Sequence, residues 1–135
     1  HAPTEHSFAT ARASHIPEEN LAKGILIRSP QGFLLAVLPA SRQVGLAELG
    51  DWLEQPVELA SEDDVTTIFS DCAPGSVPPV AGAYGLAGVV DDSLEGFENI
   101  YFEGGDHGTL VHVSGREFHR LMAGLPHAQF SASVH

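Results

Sequence analysis

The first half of the chain has the hydrophobic pattern of a β-hairpin. Two apolar runs, residues 24–27 and 33–38, flank the segment 29–32, which has proline second and glycine fourth. That placement is typical of a four-residue turn between paired strands. The two runs are therefore predicted to pair with each other.

Two helices are predicted to follow the hairpin. Leu46, Leu49 and Leu53 recur at the spacing of one face of a helix, which Pro56 would end. Ser61 then precedes three acidic residues and a further apolar set. Acidic side chains favour the positive end of the helix dipole, so a second helix is predicted to begin after Ser61.

The second half combines strands with one more helix. Residues 86–90, 99–103 and 109–113 are apolar runs typical of strands, and residues 104–105 are a Gly-Gly pair typical of a turn. Ser114 and Glu117 have the spacing of a capping box, which predicts a helix that Gly124 ends.

Helices and strands interleave without a repeat or an internal boundary, so residues 1–135 are predicted to form one domain. Two of the turns resemble hairpin turns, which disfavours a doubly wound parallel sheet. The predicted class is α+β, with a mixed, barrel-like sheet surrounded by short helices.

Composition limits the class of protein and its location in the cell. The hydrophobic fraction is 43%, ordinary for a globular protein, and no apolar run approaches the roughly 20 residues that span a bilayer. The chain opens at His1 without a basic and apolar leader, so a cytoplasmic protein without a membrane partner is expected. Its single cysteine, Cys72, forms neither an internal disulfide nor a multi-thiolate zinc site.

The net charge of -12, with only six Lys and Arg, argues against a large nucleic-acid footprint. The acidic residues are unevenly distributed, since none occurs in residues 20–47 or 72–90. These windows are either places where the end of a polyanion approaches or buried strands that exclude charge.

Lys23 is the only lysine in the chain. It closes residues 15–23, a segment predicted to be a short helical stretch that runs directly into the strand at Gly24. An ammonium group there is a compact donor suited to a phosphate oxygen or a developing negative charge. The alternative is a surface lysine without a function.

Residues 71–85 are rich in glycine and proline and are predicted to form an ordered loop. Glycine lets a ligand approach backbone N–H groups, and proline keeps those donors in place. Such a loop polarises a carbonyl or binds a phosphate, although the same residues are also common in a tight turn.

Three motifs together resemble a known family. They are Leu-Ala-Lys at 21–23, Gly75-x-x-x-Pro79 continuing to Tyr-Gly-Leu at 84–86, and Ile-Tyr-Phe-Glu-Gly-Gly-Asp-His at 100–107. In this order and spacing they are similar to the YbaK and prolyl-tRNA-synthetase-associated editing domains, from His1 to about Met122.

The resemblance implies a YbaK-like fold and hydrolysis of the ester that joins a wrong amino acid to the 3' end of a tRNA. The family's lysine corresponds to Lys23, the catalytic candidate. The implied substrate-binding residues are Gly75, Ser76, Pro79, Gly82, Tyr84 and His107. The implied partners are the acceptor end of a mischarged tRNA and an aminoacyl-tRNA synthetase, and no cofactor or metal is implied.

Other chemistries are disfavoured by the sequence. Cys72 has no evident base nearby and lies next to Asp71, which would raise its pKa. His107, His112 and His119 have neither the helical nor the strand spacing of a metal-binding pair, and no Gly-x-Ser-x-Gly motif occurs.

An aminoacyl ester is already activated, so bound water, backbone donors and the neighbouring ribose hydroxyl suffice for its hydrolysis. The competing hypothesis is a catalytically silent YbaK-like binding or regulatory module, which the acidic composition favours. Lys23 and Gly75-x-x-x-Pro79 favour the enzyme.

Overall fold

The first two strands form the predicted hairpin. In the computed structural model, which describes residues 17–71, 79–103 and 110–133, β1 (Ala22–Ser29) pairs antiparallel with β2 (Gly32–Pro39) along the whole length of both strands. The Ser29 hydroxyl donates to the carbonyl of Gly32 at 3.0 Å. Gly32 has a φ of +127°, which favours glycine, so the hairpin turn depends on this residue.

The remaining elements follow in chain order. The strands are β3 (Arg42–Val44), β4 (Glu58–Leu59), β5 (Ala87–Asp91), β6 (Asn99–Glu103), β7 (Leu110–Ser114), β8 (His127–Ala128) and β9 (Ser131–Ser133). The helices are α1 (Leu46–Leu53), α2 (Glu62–Ile68) and α3 (Gly115–Leu121), and short 3-10 turns occupy Glu18–Asn20, Ala81–Tyr84 and Asp92–Leu94.

The central sheet is mixed, as predicted. Its strand order is β4-β1-β2-β5-β8, with β1 antiparallel to both β4 and β2, and with β2–β5 and β5–β8 parallel. Two antiparallel ribbons, β3–β9 and β6–β7, accompany it. Together with the three helices, these elements confirm the α+β class.

Strand β2 lies between two hydrophobic cores. Leu35 and Val37 belong to the first core, which includes Ile100 of β6 and Phe118 of α3. Alternate residues of the same strand belong to the second core, where they pack with Leu49 of α1 and with Phe130; these residues are Leu34, Ala36 and Leu38. Because side chains of a strand alternate between faces, one apolar run supplies both cores.

Two of the helices begin with capping boxes. The Ser114 hydroxyl accepts from the Glu117 N–H at 3.1 Å, and the Glu117 carboxylate accepts from the Ser114 N–H at 3.0 Å. Ser61 and Asp64 exchange the same pair of bonds. The predicted capping box at Ser114 is therefore confirmed, and so is a helix beginning after Ser61.

The predicted helical stretch before the first strand is wrong in extent. Within the described residues it is only the 3-10 turn Glu18–Asn20, and Lys23 is the second residue of β1 rather than the residue before a strand. The reason is the pairing with β2, which begins at Ala22 opposite Pro39 and extends the strand by two residues.

Asp91, at the end of β5, is 2% exposed and fully hydrogen-bonded. Its carboxylate accepts from the N–H groups of Phe130 and Ser131, each at 3.0 Å, and from the N–H and hydroxyl of Ser93. Burial opposes ionisation, but these hydrogen bonds outweigh it and lower the pKa of Asp91. The carboxylate thereby joins the central sheet to the segment that leads into β9.

We expect Asp91→Asn to lower the free energy of unfolding at pH 7 by about 1–3 kcal/mol. The amide NH2 group would replace the oxygen that accepts from the Ser93 N–H and hydroxyl, and a donor cannot accept either hydrogen bond. A lowered native pKa contributes stability above the unfolded pKa of about 3.9, and this contribution is lost as the pH falls through the native pKa. The deficit should therefore shrink in urea denaturation below pH 4.

Asp51→Asn, at an exposed position of α1, is the control, and its free energy of unfolding should stay within about 0.5 kcal/mol of the wild type. A deficit for Asp91→Asn that is the same at pH 7 and pH 3 would contradict the assigned charge.

Candidate functional site

Lys23 lies on β1 at the end of the hairpin opposite the turn, where it is paired with Leu38. Its side chain is half-buried, and its Nζ donates to the carbonyl oxygen of Ala40 at 3.4 Å. That distance is long for a hydrogen bond, so this contact holds the ammonium group only weakly.

No carboxylate pairs with Lys23 in the part of the chain that the structure describes. The ion pairs seen there are Arg28 with Glu58 at 3.9 Å and His127 with Glu95 at 3.0 Å. Burial lowers the pKa of Lys23. Among the described residues, this half-buried ammonium group has no carboxylate partner, although the net charge of the chain is -12.

A small hydrophobic cluster adjoins Lys23. Leu21 and Ala40 are buried in it, and Tyr101 and Leu110 pack against them. The Ala40 N–H donates to the Leu21 carbonyl at 2.7 Å, and Leu21 forms a parallel bridge with Tyr101. The carbonyl that receives the Lys23 hydrogen bond is therefore next to the β6–β7 ribbon.

The same ribbon carries the ends of the segment that contains His107. Glu103 closes β6 and pairs with Leu110, the first residue of β7. Glu103 is 3% exposed, and Leu110 belongs to the cluster beside Lys23. His107 itself lies outside the described residues. The segment that contains it connects Glu103 with Leu110, and Leu110 packs against this cluster.

The Gly/Pro loop is described only at its two ends, and Gly75 and Ser76 lie outside the described residues. On one side the structure ends at Asp71, and on the other it resumes at Pro79, which is buried. The Tyr84 hydroxyl donates to the Asp71 carboxylate, at 3.1 and 3.2 Å from its two oxygens. That bond joins the two sides of the segment 72–78.

Tyr84 and Gly82 have different surroundings. The Tyr84 ring lies 4.5 Å from that of Phe69, at 59° to it, and packs against the first core. Gly82 is exposed, and a methyl group added there would meet no atom within 4 Å. Gly82 therefore leaves open space on the surface of the 3-10 turn.

Lys23 and Tyr84 have different neighbours among the described residues. Ala22 belongs to the first core, and Tyr84 packs against that core. Side chains alternate between the two faces of a strand, so Lys23 points away from the first core. The described residues thus bring Lys23 together with Ala40 and the β6–β7 ribbon, and Tyr84 together with Asp71.

A cavity of about 490 Å³ lies elsewhere, between α3 and the turn after β5. Its walls include Phe97, Phe118 and Met122, and none of its lining residues was a predicted site residue. Sequence periodicity gave no sign of it, because its residues come from five separated segments.

No helix among the described residues is long and apolar enough to cross a membrane.

The chain combines a mixed central sheet with a half-buried lysine on its first strand, and comparison with known proteins identifies its family. Residues 1–121 match the family model of the aminoacyl-tRNA editing domain. The chain belongs to this family. No curated protein matches the sequence.

Solved structures share the fold. The hypothetical protein APE2540 is 25% identical and superposes with a TM-score of 0.85, covering 97% of this chain and 87% of that one. A candidate trans-editing enzyme for prolyl tRNA synthetase is 20% identical, with a TM-score of 0.81 and coverage of 94% and 80%. A candidate signal transduction protein from Marinobacter aquaeolei VT8 is 19% identical with a TM-score of 0.79, covering 88% of this chain and 26% of that one.

We expect the single lysine to titrate below its ordinary value of about 10.4, because burial disfavours its charged form. A sample with ¹³C-labelled lysine gives one Cε resonance, whose shift follows the charge directly. The control is the same titration in urea, where the ordinary value should return. Equal pKa values in the folded and unfolded chains would show that Lys23 is solvated.

Proposed function

We propose that this protein is a trans-acting aminoacyl-tRNA deacylase, which hydrolyses the ester between a wrong amino acid and the 3' end of a tRNA. The observation that carries the proposal is Lys23, a half-buried ammonium with one weak contact to a carbonyl and no paired carboxylate among the described residues. Membership of the aminoacyl-tRNA editing domain family supports an editing role.

The charge of Lys23 is suited to an anionic substrate. Burying an ammonium costs free energy unless a negative group compensates it. A terminal phosphate of the tRNA, or the oxyanion that forms as water attacks the ester, supplies that compensation on binding. The interaction with the oxyanion is made only in the transition state, so it raises the rate rather than only the affinity.

The reaction needs no protein nucleophile. Water adds to the acyl carbon, the carbonyl oxygen becomes an oxyanion, and collapse of this intermediate releases the amino acid. As the ester bond breaks, the neighbouring ribose hydroxyl donates its proton to the leaving ribose oxygen and takes up the proton that the attacking water loses, so the products are the free amino acid and the uncharged tRNA. Water positioning and oxyanion stabilisation are the tasks left to the protein.

We assign the backbone donors to the loop that contains Gly75, Ser76 and Pro79. The hydrogen bond between Tyr84 and Asp71 supports this assignment, since it holds the two sides of the loop together. The open space at Gly82 supports close approach of a ligand. His107 is assigned to the substrate because its segment ends at the cluster beside Lys23.

Editing has a physical reason. One methylene group is worth only about 1–3 kcal/mol in a pocket, so a synthetase cannot reject a smaller amino acid by binding alone. The proposed partners are the acceptor end of a mischarged tRNA and an aminoacyl-tRNA synthetase, and the proposed location is the cytoplasm. A panel of mischarged tRNAs, including those of proline, would identify the amino acid.

Lys23→Met should reduce kcat/KM for deacylation at least about a hundredfold, the scale of a lost oxyanion donor. It should also leave the free energy of unfolding unchanged or raised, because the apolar stem remains and the desolvated charge is gone. Hydrolysis of a mischarged tRNA and thermal melting measure the two effects.

The matched control is Arg28→Met, which removes one positive charge from the same strand. Arg28 is 59% exposed and pairs with Glu58 only at 3.9 Å, so its loss should change neither rate nor stability appreciably. Full activity of a folded Lys23→Met protein would remove Lys23 from the mechanism.

Binding to tRNA should depend only weakly on salt. Each phosphate contact contributes about -0.7 to -0.9 to the slope of log K against log salt, and few basic residues are available, so a total slope of about -3 or shallower is expected. A short acceptor-stem mimic should compete nearly as well as full-length tRNA. A slope steeper than about -6 would show a broad basic face and refute binding confined to the acceptor end.

A catalytically silent binding module is the second candidate, and the net charge of -12 favours it. It predicts that wild-type protein binds the acceptor-stem mimic, that Lys23→Met weakens this binding, and that neither protein hydrolyses any ester in the panel. Turnover by the wild type decides for the enzyme.

A further inference from the structure

A second set of titratable side chains lies far along the chain from Lys23. Asp92 and Glu95 belong to the turn that follows β5, and His127 opens β8. One ligand atom from each of them lies within 4.8 Å of the others. Carboxylate oxygens and an imidazole nitrogen are the donors that first-row divalent metals bind in proteins.

The backbone at this place is fixed independently of any ion. The Asp91 carboxylate caps the turn through the Ser93 N–H, and the Glu95 N–H donates to the Asp92 carbonyl at 3.0 Å. His127 is paired with Val90 in the sheet. The three side chains are therefore brought together by secondary structure on both sides, which lowers the entropy cost of binding.

The Nδ1 atom of His127 faces the Glu95 carboxylate in a buried position. Its Nδ1 atom has almost no accessible surface, and among the described residues it has no hydrogen bond. It lies 3.0 Å from Oε1 of Glu95, but without the geometry of a hydrogen bond. A nitrogen and a carboxylate oxygen this close, without a hydrogen bond between them, are arranged as two ligands of one cation would be.

We propose that Asp92, Glu95 and His127 bind a divalent transition-metal ion, for which Zn²⁺ is the probe. Metal–ligand bonds of about 2.0–2.2 Å place tetrahedral ligand atoms roughly 3.3–3.6 Å apart. The Glu95–His127 separation of 3.0 Å is a few tenths of an ångström shorter, which a small side-chain movement corrects. Asp92 closes the remaining distance by side-chain rotation, and solvent completes the coordination.

The ion would act as a clip between two parts of the chain. β8 joins the central sheet by only two residue pairs, Val90 with His127 and Asp91 with Ala128. Metal ligation on β8 and on the turn after β5 adds a third connection. Binding to the native state alone stabilises it by mass action. The proposal is independent of the deacylase activity and of Lys23.

The first test is titration of chelator-treated protein with ZnCl₂ in a calorimeter. We expect the wild type to bind one more zinc ion per chain than His127→Gln does, or to bind it at least about tenfold more tightly than the variant. Glu95→Gln, at a side chain that is 57% exposed, should have a similar effect and tests the site without disturbing packing.

The matched control is His112→Gln. His112 is an exposed histidine on β7 that stacks on Tyr101, and its Nε2 atom lies 2.7 Å from Oδ1 of Asn99. It is not one of the three proposed ligands. This variant should bind the same number of zinc ions as the wild type, with an affinity within about twofold.

The second readout is thermal. Zn²⁺ should raise the Tm of the wild type and of His112→Gln, and should raise it less in Glu95→Gln and His127→Gln. The proposal is overturned if the wild type shows no saturable zinc binding, or if all four proteins bind the same number of ions with the same affinity.

Discussion

The rest of the structure depends on the burial of β2 on both faces. Every residue from Leu34 to Pro39 is buried, and no charged side chain interrupts the run. A strand of this kind cannot lie at the edge of a sheet or face water, so both of its faces must be covered. Helix α1 and Phe130 cover one face, and α3 with the β6–β7 ribbon covers the other. The positions of β1 and Lys23 follow from this arrangement.

The side chains of Asp91 and Lys23 differ in how their charges are compensated. The Asp91 carboxylate receives four donors and joins β5 to the segment before β9, so its charge stabilises the fold. Among the described residues, Lys23 has one long hydrogen bond, to a carbonyl, and burial lowers its pKa. A satisfied buried charge is typical of structure, whereas an unsatisfied one is typical of a site that awaits a ligand. This contrast is the physical basis for assigning function to Lys23.

The acid-free windows of the sequence acquire different explanations. Residues 20–47 contain β1, β2 and β3, and most of this window is excluded from charge because it builds the two cores. The first window is thus largely a consequence of burial, although it also contains three basic residues, Lys23, Arg28 and Arg42. Burial also accounts for part of the second window. In its described part, residues 79–90, Ala81 belongs to the first core and Val89 to the second.

The sequence by itself determined the local elements. The hairpin turn at Ser29–Gly32, the helix Leu46–Leu53 and the cap at Ser114 are specified by residues close together in the chain, and all three are confirmed. Strands β3, β4, β8 and β9 were missed because two or three residues carry no periodicity. The sequence does not predict that β1 includes Ala22 and Lys23, because these residues become part of the strand by pairing with Pro39 and Leu38 of β2.

Only the tertiary structure decided which residues meet. The sequence singled out Lys23 as the one lysine, but its weak hydrogen bond to Ala40 and its lowered pKa arise from the folded structure. Ala40 belongs to a cluster that packs against Tyr101 of β6. Asp92 and His127 are 35 positions apart and become neighbours only because β8 pairs with β5. Side-chain spacing along a chain reports one helix or strand at a time, whereas a site is assembled by pairings between distant segments, which this pattern does not encode.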